Sequence, residues 1–268
     1  MPDVLQAGAV RIAYERTGEG PPLVLMHGAE ADRRMFAALA ALLASRFTVI
    51  AYDQRDCGDT EGPAQAATLA DLAHDAAALI RALGHQRAHV FGSSYGGRVA
   101  QALALLHPEV VDRLVLGSTW PLPHAYEALH PQGAAAIGAL RTGLPGTAEE
   151  LAGWFFPEPF LQQRPELRRI FANAQPQTER GRRRSQAVAS SLNLSPAAIE
   201  APTLVLTGEQ DRVVPPGLTL QLADAIPHSQ RLLLAGVGHV TVMQATQPVA
   251  DAIGAFLSAQ EAPHANGR

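Results

Sequence analysis

Cysteine is almost missing from this chain: Cys57 is the single one, which excludes an intrachain disulfide and suits a reducing compartment. No histidine or second cysteine neighbours it, so nothing in sequence marks it as an activated thiol. An excess of one charge sign is missing too. Twenty-one basic residues against 25 acidic ones leave a net charge of −4, no electrostatic footprint for nucleic acid or an anionic membrane. No apolar run approaches the ~20 residues that span a bilayer. Met1–Gly8 shows no basic stretch leading into an apolar one, so no signal peptide is read. A soluble, cytoplasmic protein with small-molecule partners is expected, with no nucleic acid and no membrane among them; the oligomeric state stays open.

What is abundant is apolar: 47% of 268 residues, enough to bury one sizeable core. Leu23 to Met26, Phe47 to Tyr52, Ala88 to Phe91 and Leu114 to Gly117 are short continuous apolar runs, the pattern of strands covered on both faces. Val10 to Arg16 alternates instead and reads as a half-exposed edge strand. Helical periodicity fills Phe36 to Leu43, Leu69 to Leu83 and Val99 to Leu106, with Thr68 and Asp71 as capping signals and Gly84 as a stop. This alternation predicts an α/β fold.

Gly92-Ser93-Ser94-Tyr95-Gly96 reads G-x-S-x-G between a strand-like run and a helical one. Glycines at both ends allow a strained turn that presents the central hydroxyl, so Ser94 is the candidate nucleophile. A serine hydroxyl is weakly nucleophilic near neutral pH and needs a histidine base held by a carboxylate. Asp211 is the predicted acid, after the buried-strand run Thr203 to Gly208, with Glu209 as its neighbouring competitor. His239 is the predicted base, beyond Leu232 to Leu234 and a glycine-bounded turn; most other histidines lie beside proline or in polar stretches, and His89 is inside a strand. Three residues following three parallel strands can converge although distant in sequence. Leu23 to Met26 runs into His27-Gly28, where the amides of Ala29 and Tyr95 form the predicted oxyanion hole.

Taken together these residues resemble the α/β-hydrolase fold serine hydrolases over most of the chain: His27-Gly28, the loop Asp53 to Thr60, the Gly92 to Gly97 elbow, His107-Pro108-Glu109, Gly208 to Asp211 and Gly238-His239. The resemblance implies a mostly parallel sheet with helices on both faces and a helical cap inserted after strand six, and no metal or cofactor. Within the family the likeness is nearest to esterases and lactonases of the 3-oxoadipate enol-lactonase type. Residues 1–119 and 197–258 would form the core, 120–196 the cap and 259–268 a disordered tail. A small-molecule ester or lactone, cleaved through an acyl-enzyme, is the implied substrate.

Relatives with other chemistry differ by residue. Dehalogenases and epoxide hydrolases carry aspartate where Ser94 stands. Carbon–carbon bond hydrolases usually carry tryptophan after the catalytic histidine, where this chain has Val240. They remain one alternative; a cofactor-free perhydrolase or haloperoxidase shares the whole triad and remains another. A non-catalytic ligand receptor on the same fold is the alternative from a different class.

Two departures and one cap feature bear on substrate choice. Family members usually read D-x-R-G-x-G-x-S after strand four; here Asp56 and Cys57 interrupt the pattern and Thr60 takes the serine position. Pairing of Asp56 with Arg55 at the surface is the expected outcome. Prolines from Pro121 to Pro176 break the cap into short pieces, and Trp154, Phe155, Phe156 and Phe160 either roof an apolar pocket or pack the cap onto the core. His27, Gly28, Trp120, Trp154, Phe155 and Val240 are the candidate substrate-binding residues. Glu179 to Arg184 is expected to be a solvated basic face, with attraction of an anionic substrate as the functional reading.

Overall fold

Within each apolar run the side chains alternate between two faces, and both faces are covered. The computed structural model describes residues 2–173 and 178–259. Pro176, and all of the expected disordered tail but Ala259, lie outside the described residues. Leu23, Leu25, Val49, Ala51, Phe91, Val115, Leu204 and Leu206 enter one core; Val24, Met26, Ile50, Tyr52, Val90, Leu114, Leu116 and Val205 enter the other. Strands β1 (Asp3–Ala7), β2 (Val10–Thr17), β3 (Pro22–Met26), β4 (Thr48–Tyr52), β5 (Ala88–Ser93), β6 (Val111–Gly117), β7 (Thr203–Gly208) and β8 (Ser229–Leu234) form one sheet in the order β1-β2-β4-β3-β5-β6-β7-β8. The pairs β1/β2 and β2/β4 are antiparallel and the rest are parallel.

The expectation of an edge strand at Val10 to Arg16 is corrected here. β2 is paired on both sides, because β1, whose short polar-apolar sequence gave no clear period, adds outside it. Ile12 and Ala13 are buried, and the exposed positions of β2 are Arg11 and Glu15 to Thr17.

Helices α2 (Leu69–Ala82), α3 (Tyr95–Leu106) and α9 (Pro216–Ala225) contribute to the first core, and α1 (Ala37–Leu43) and α11 (Thr246–Ser258) to the second. The predicted capping box at Thr68 is formed: its hydroxyl accepts from the Asp71 amide and the Asp71 carboxylate accepts from the Thr68 amide, which satisfies two N–H groups that the helix cannot. Between β6 and β7 lie α4 (Tyr126–Leu129), α5 (Pro131–Thr142), α6 (Ala148–Phe155), α7 (Glu158–Gln163) and α8 (Glu179–Ala189); α10 (Thr241–Gln244) follows β8. Proline sets the start of α5 and lies in the first turn of α7, where a missing N–H costs nothing.

Because β3 and β5 to β8 run parallel, their carboxyl ends share one edge of the sheet. Ser94, Ala29, Asp211 and His239 all follow strands at that edge.

Candidate active site

Ser94 stands between β5 and α3 with φ 55° and ψ −122°, a left-handed conformation costing a non-glycine residue roughly 1–3 kcal/mol. The turn is tight enough that a Cβ at Gly92 would overlap the Gly96 carbonyl, and one at Gly96 the Met26 carbonyl. Only glycine fits at either place. The Ser94 amide donates to the Gly117 carbonyl at 2.8 Å, tying the strained residue to the neighbouring strand.

The three predicted residues meet. Ser94 Oγ lies 3.0 Å from His239 Nε2, and His239 Nδ1 lies 2.9 Å from Asp211 Oδ2 and 3.1 Å from Oδ1. The Asp211 carboxylate is fully buried and also accepts the Val214 amide at 2.8 Å. Such a carboxylate stays an acceptor, so Nδ1 carries the proton, Nε2 is left basic, and the Ser94 hydroxyl donates to it. Glu209 is exposed and accepts the Gly236 amide at 3.1 Å, a turn role that takes it out of the competition.

Across from the histidine is the loop after β3. A Cβ at Gly28 would sit 3.5 Å from the Ser94 Cβ, so the backbone passes close over the nucleophile. Tyr95 opens α3, and its amide is one of the donors an α-helix leaves unpaired. His27 does not line the site, contrary to expectation. It is wholly buried: its Nδ1 donates to the Gly28 carbonyl at 2.8 Å and its Nε2 accepts the Gln54 amide at 3.0 Å. Burial, with Arg184 nearby, lowers its pKa to about 3, so the ring is a neutral brace.

Residues that sequence reading missed complete this brace. Gln54 donates to the His27 carbonyl at 2.7 Å and accepts from Arg184 Nη2 at 3.1 Å, while Arg184 Nε donates to the Ala29 carbonyl at 3.2 Å. The Arg184 guanidinium covers the Tyr95 ring at 4.9 Å, and the Tyr95 hydroxyl donates to the Ala187 carbonyl at 2.6 Å. Gln244 accepts the Gly238 amide at 2.7 Å and donates to the Phe155 carbonyl at 3.1 Å. A lone glutamine has no periodicity or motif to announce it.

The β6–β7 segment reaches the site through Phe155. Its carbonyl accepts the His239 amide at 3.0 Å, and its ring meets the imidazole edge-on at 5.5 Å. The other aromatics part company. Phe156 and Phe160 stack on each other at 5.8 Å and build a small core with Leu161 and Leu167; Val240, beside His239, packs against it. Trp154 lies under the Arg212 guanidinium at 4.5 Å, not against Ser94 or His239. Trp120 is buried beneath Arg98, 5.2 Å from its guanidinium.

Two further expectations are corrected. Asp56 does not pair with Arg55, which turns to Asp75 instead at 2.5 Å; it pairs with Arg183 of α8 at 2.6 Å, both side chains nearly buried. With φ 60° at Asp56, the loop aims its carboxylate toward α8. Only part of the run Arg180 to Arg184 is a solvated face, since Arg182 is exposed. Arg180 donates to the Gly58 and Thr60 carbonyls at 2.7 and 2.8 Å, and Arg183 and Arg184 are buried. Thr60, in the serine position of the family pattern, accepts the Ala13 amide at 2.8 Å. Cys57 is buried and burial raises its pKa, the reverse of an activated thiol.

Residues 21–171 match the family described as the alpha/beta hydrolase fold, and residues 176–268 match one described as TAP-like protein. A 2-hydroxymuconate semialdehyde hydrolase of Pseudomonas is 30% identical over 97% of this chain and 94% of its own. The solved structure of a thermophilic esterase from Thermogutta terrifontis aligns with a TM-score of 0.79 and 29% identity, over 96% of this chain and 98% of that one. An enol-lactonase from Burkholderia xenovorans, at 23% identity, shares the fold with a TM-score of 0.80 over 96% and 100% of the two chains. Among the described residues no helix is long and apolar enough to cross a membrane.

Proposed function

The chain belongs to the α/β-hydrolase family, and we propose that within it the protein is a serine hydrolase cleaving a carboxylic ester or lactone of a small molecule through an acyl-enzyme. The observation that carries this reading is the unbroken line from Ser94 Oγ through His239 to the buried Asp211, at 3.0 and 2.9 Å. His239 takes the serine proton as Oγ attacks the carbonyl carbon, and Asp211 holds the tautomer and steadies the imidazolium. The oxyanion is received by the amides of Ala29 and Tyr95, which the buried frame of His27, Gln54 and Arg184 holds in place before substrate arrives. The imidazolium then protonates the leaving alkoxide. Water, activated by the same histidine, releases the acid and restores Ser94.

Residues 120–196 act in this reading as a cap whose Phe155 roofs His239 and whose α8 is anchored to the loop after β4. Related enzymes carry names that include carbamate hydrolase, esterase, enol-lactonase and meta-cleavage product hydrolase. The 30% identical semialdehyde hydrolase favours carbon–carbon hydrolysis as a second reading. The test is labelling by a fluorophosphonate mapped by mass spectrometry, beside turnover of p-nitrophenyl acetate, a lactone panel and a ring-fission diketone. An adduct on Ser94 with ester or lactone turnover supports the proposal. Labelling elsewhere, or turnover of the diketone alone, overturns it, and labelling without any product release points to a receptor.

A further inference from the structure

Two arginines close to Tyr95 are buried without an ion pair. Arg98, one helical turn beyond Ser94 on α3, is 1% exposed, and Arg184 on α8 is 6% exposed. Buried Arg33 and Arg183 each pair with a carboxylate, whereas among the described residues neither Arg98 nor Arg184 forms an ion pair. Arg98 Nε and Nη2 and Arg184 Nη1 are shut off from solvent and make no hydrogen bond. Apart from the bonds that Arg184 Nε and Nη2 donate to the Ala29 carbonyl and to Gln54, their contacts are with π faces, Trp120 for Arg98 at 5.2 Å and Tyr95 for Arg184 at 4.9 Å. A ring face attracts a cation but accepts no more than a weak hydrogen bond, so most of the donor capacity stays unused. The indole N–H of Trp120 is buried and unpaired as well.

Retaining an unpaired buried charge works against folding unless something else gains from it. Arg98 stands one helical turn after Ser94, the N-cap of α3, and Arg184 of α8 bonds the Ala29 carbonyl in the loop that passes over Ser94. We propose that Arg98 and Arg184 form an anion-recognition subsite, so that the preferred acyl substrates carry a carboxylate in addition to the bond that is cut. The planar guanidinium fork matches a carboxylate through paired N–H donors. This rests on the serine-hydrolase reading and narrows it to half-esters of short dicarboxylic acids and carboxylate-bearing lactones. It also replaces the idea of a basic entrance, since the arginine concerned is enclosed.

The experiment compares mono-p-nitrophenyl glutarate with its methyl ester, which has the same chain without the charge. Wild-type protein should show the higher kcat/KM on the acid. Arg98→Gln and Arg184→Gln should each lower the acid-to-ester ratio of kcat/KM by roughly tenfold or more, and Arg98→Lys should keep a larger part of it. A ratio unchanged in both glutamine variants overturns the proposal. Should those variants fail to fold, by circular dichroism, the wild type decides: glutarate should inhibit p-nitrophenyl acetate turnover far better than glutaramide, and equal inhibition overturns the proposal. Calorimetry of glutarate with Ser94→Ala protein separates the two readings. Binding there, weakened in the Ser94→Ala/Arg98→Gln double variant, supports the subsite whatever the fate of the hydrolase reading; full turnover by Ser94→Ala sinks only the latter.

Discussion

Asp56 and Arg183, 127 residues apart in sequence, meet through Asp56 Oδ1 and Arg183 Nη2 at 2.6 Å. One replaces a glycine of the family pattern in the loop after β4 and the other is in the middle of α8, so the pair ties the β6–β7 segment to the core. Removing one partner of an enclosed pair leaves the other charge without compensation, whereas replacing both by apolar groups can be nearly neutral. Asp56→Leu and Arg183→Met are each expected to lower the thermal midpoint by several degrees, and the double variant Asp56→Leu/Arg183→Met by less. Scanning calorimetry of the two singles and the double closes the cycle; strictly additive losses would show that the residues act separately.

Loss of the nucleophile should be far more damaging than loss of its orienting acid. Ser94→Ala is expected to reduce kcat by roughly 10⁵-fold or more, and Asp211→Asn by roughly 10⁴-fold, since the amide turns the histidine tautomer the wrong way. Glu209→Gln, on the exposed turn beside Asp211, should stay within about twofold of wild type because surface changes away from buried networks have small effects. Steady-state kinetics on p-nitrophenyl acetate checks all three. An inactive Glu209→Gln with an active Asp211→Asn would reassign the acid.

Buried His27 makes the fold acid-sensitive. Its folded pKa, about 3, is below its ordinary 6.5, so the unfolded chain binds the proton more readily. The stability that comes from keeping the ring neutral is complete above pH 6.5 and is lost progressively as pH falls from there toward 3. One such group contributes a slope of at most about 1.4 kcal/mol per pH unit. Urea unfolding at pH 7.5, 6, 5 and 4 should show wild type falling more steeply than His27→Gln, although the variant begins less stable. Parallel slopes would remove His27 as the source.

Much of this was legible because local pattern and function coincide at the same positions. Ser94, Asp211 and His239 each follow a strand run and sit beside glycine, so sequence order alone marks the edge where they converge. The fold's outer strand was harder: β1 has only Leu5 and Ala7 turned inward, too few to announce a period, and without it β2 looks like an edge. Asp56 with Arg183, and Arg184 with Gln54, were unreadable for a different reason. A pair separated by more than a hundred residues exists only once the chain has crossed from core to cap, and an arginine run looks the same whether it is solvated or enclosed. The aromatic run Trp154 to Phe160 fell between these cases, since a helix turn divides it. Phe155 faces the histidine while Phe156 turns into a core of its own.

That division makes the Phe155 carbonyl a junction between cap and base, and Gln244 is what completes it. Its carboxamide donates to the Phe155 carbonyl at 3.1 Å and accepts the Gly238 amide at 2.7 Å, one residue before His239. Gln244→Leu keeps the bulk, removes both bonds, and leaves the Gly238 N–H without its acceptor, a loss of roughly 1–3 kcal/mol in stability. The catalytic consequence follows from position: the imidazole must hold Nε2 toward Ser94 Oγ within a few tenths of an ångström, and a loosened loop spreads that distance. We expect kcat to fall by about tenfold with KM nearly unchanged and the acidic limb of the pH profile unmoved, because orientation is lost and not basicity. A variant whose KM rises at constant kcat would instead put Gln244 in substrate binding, and one that loses stability at full kcat would leave it a packing residue alone.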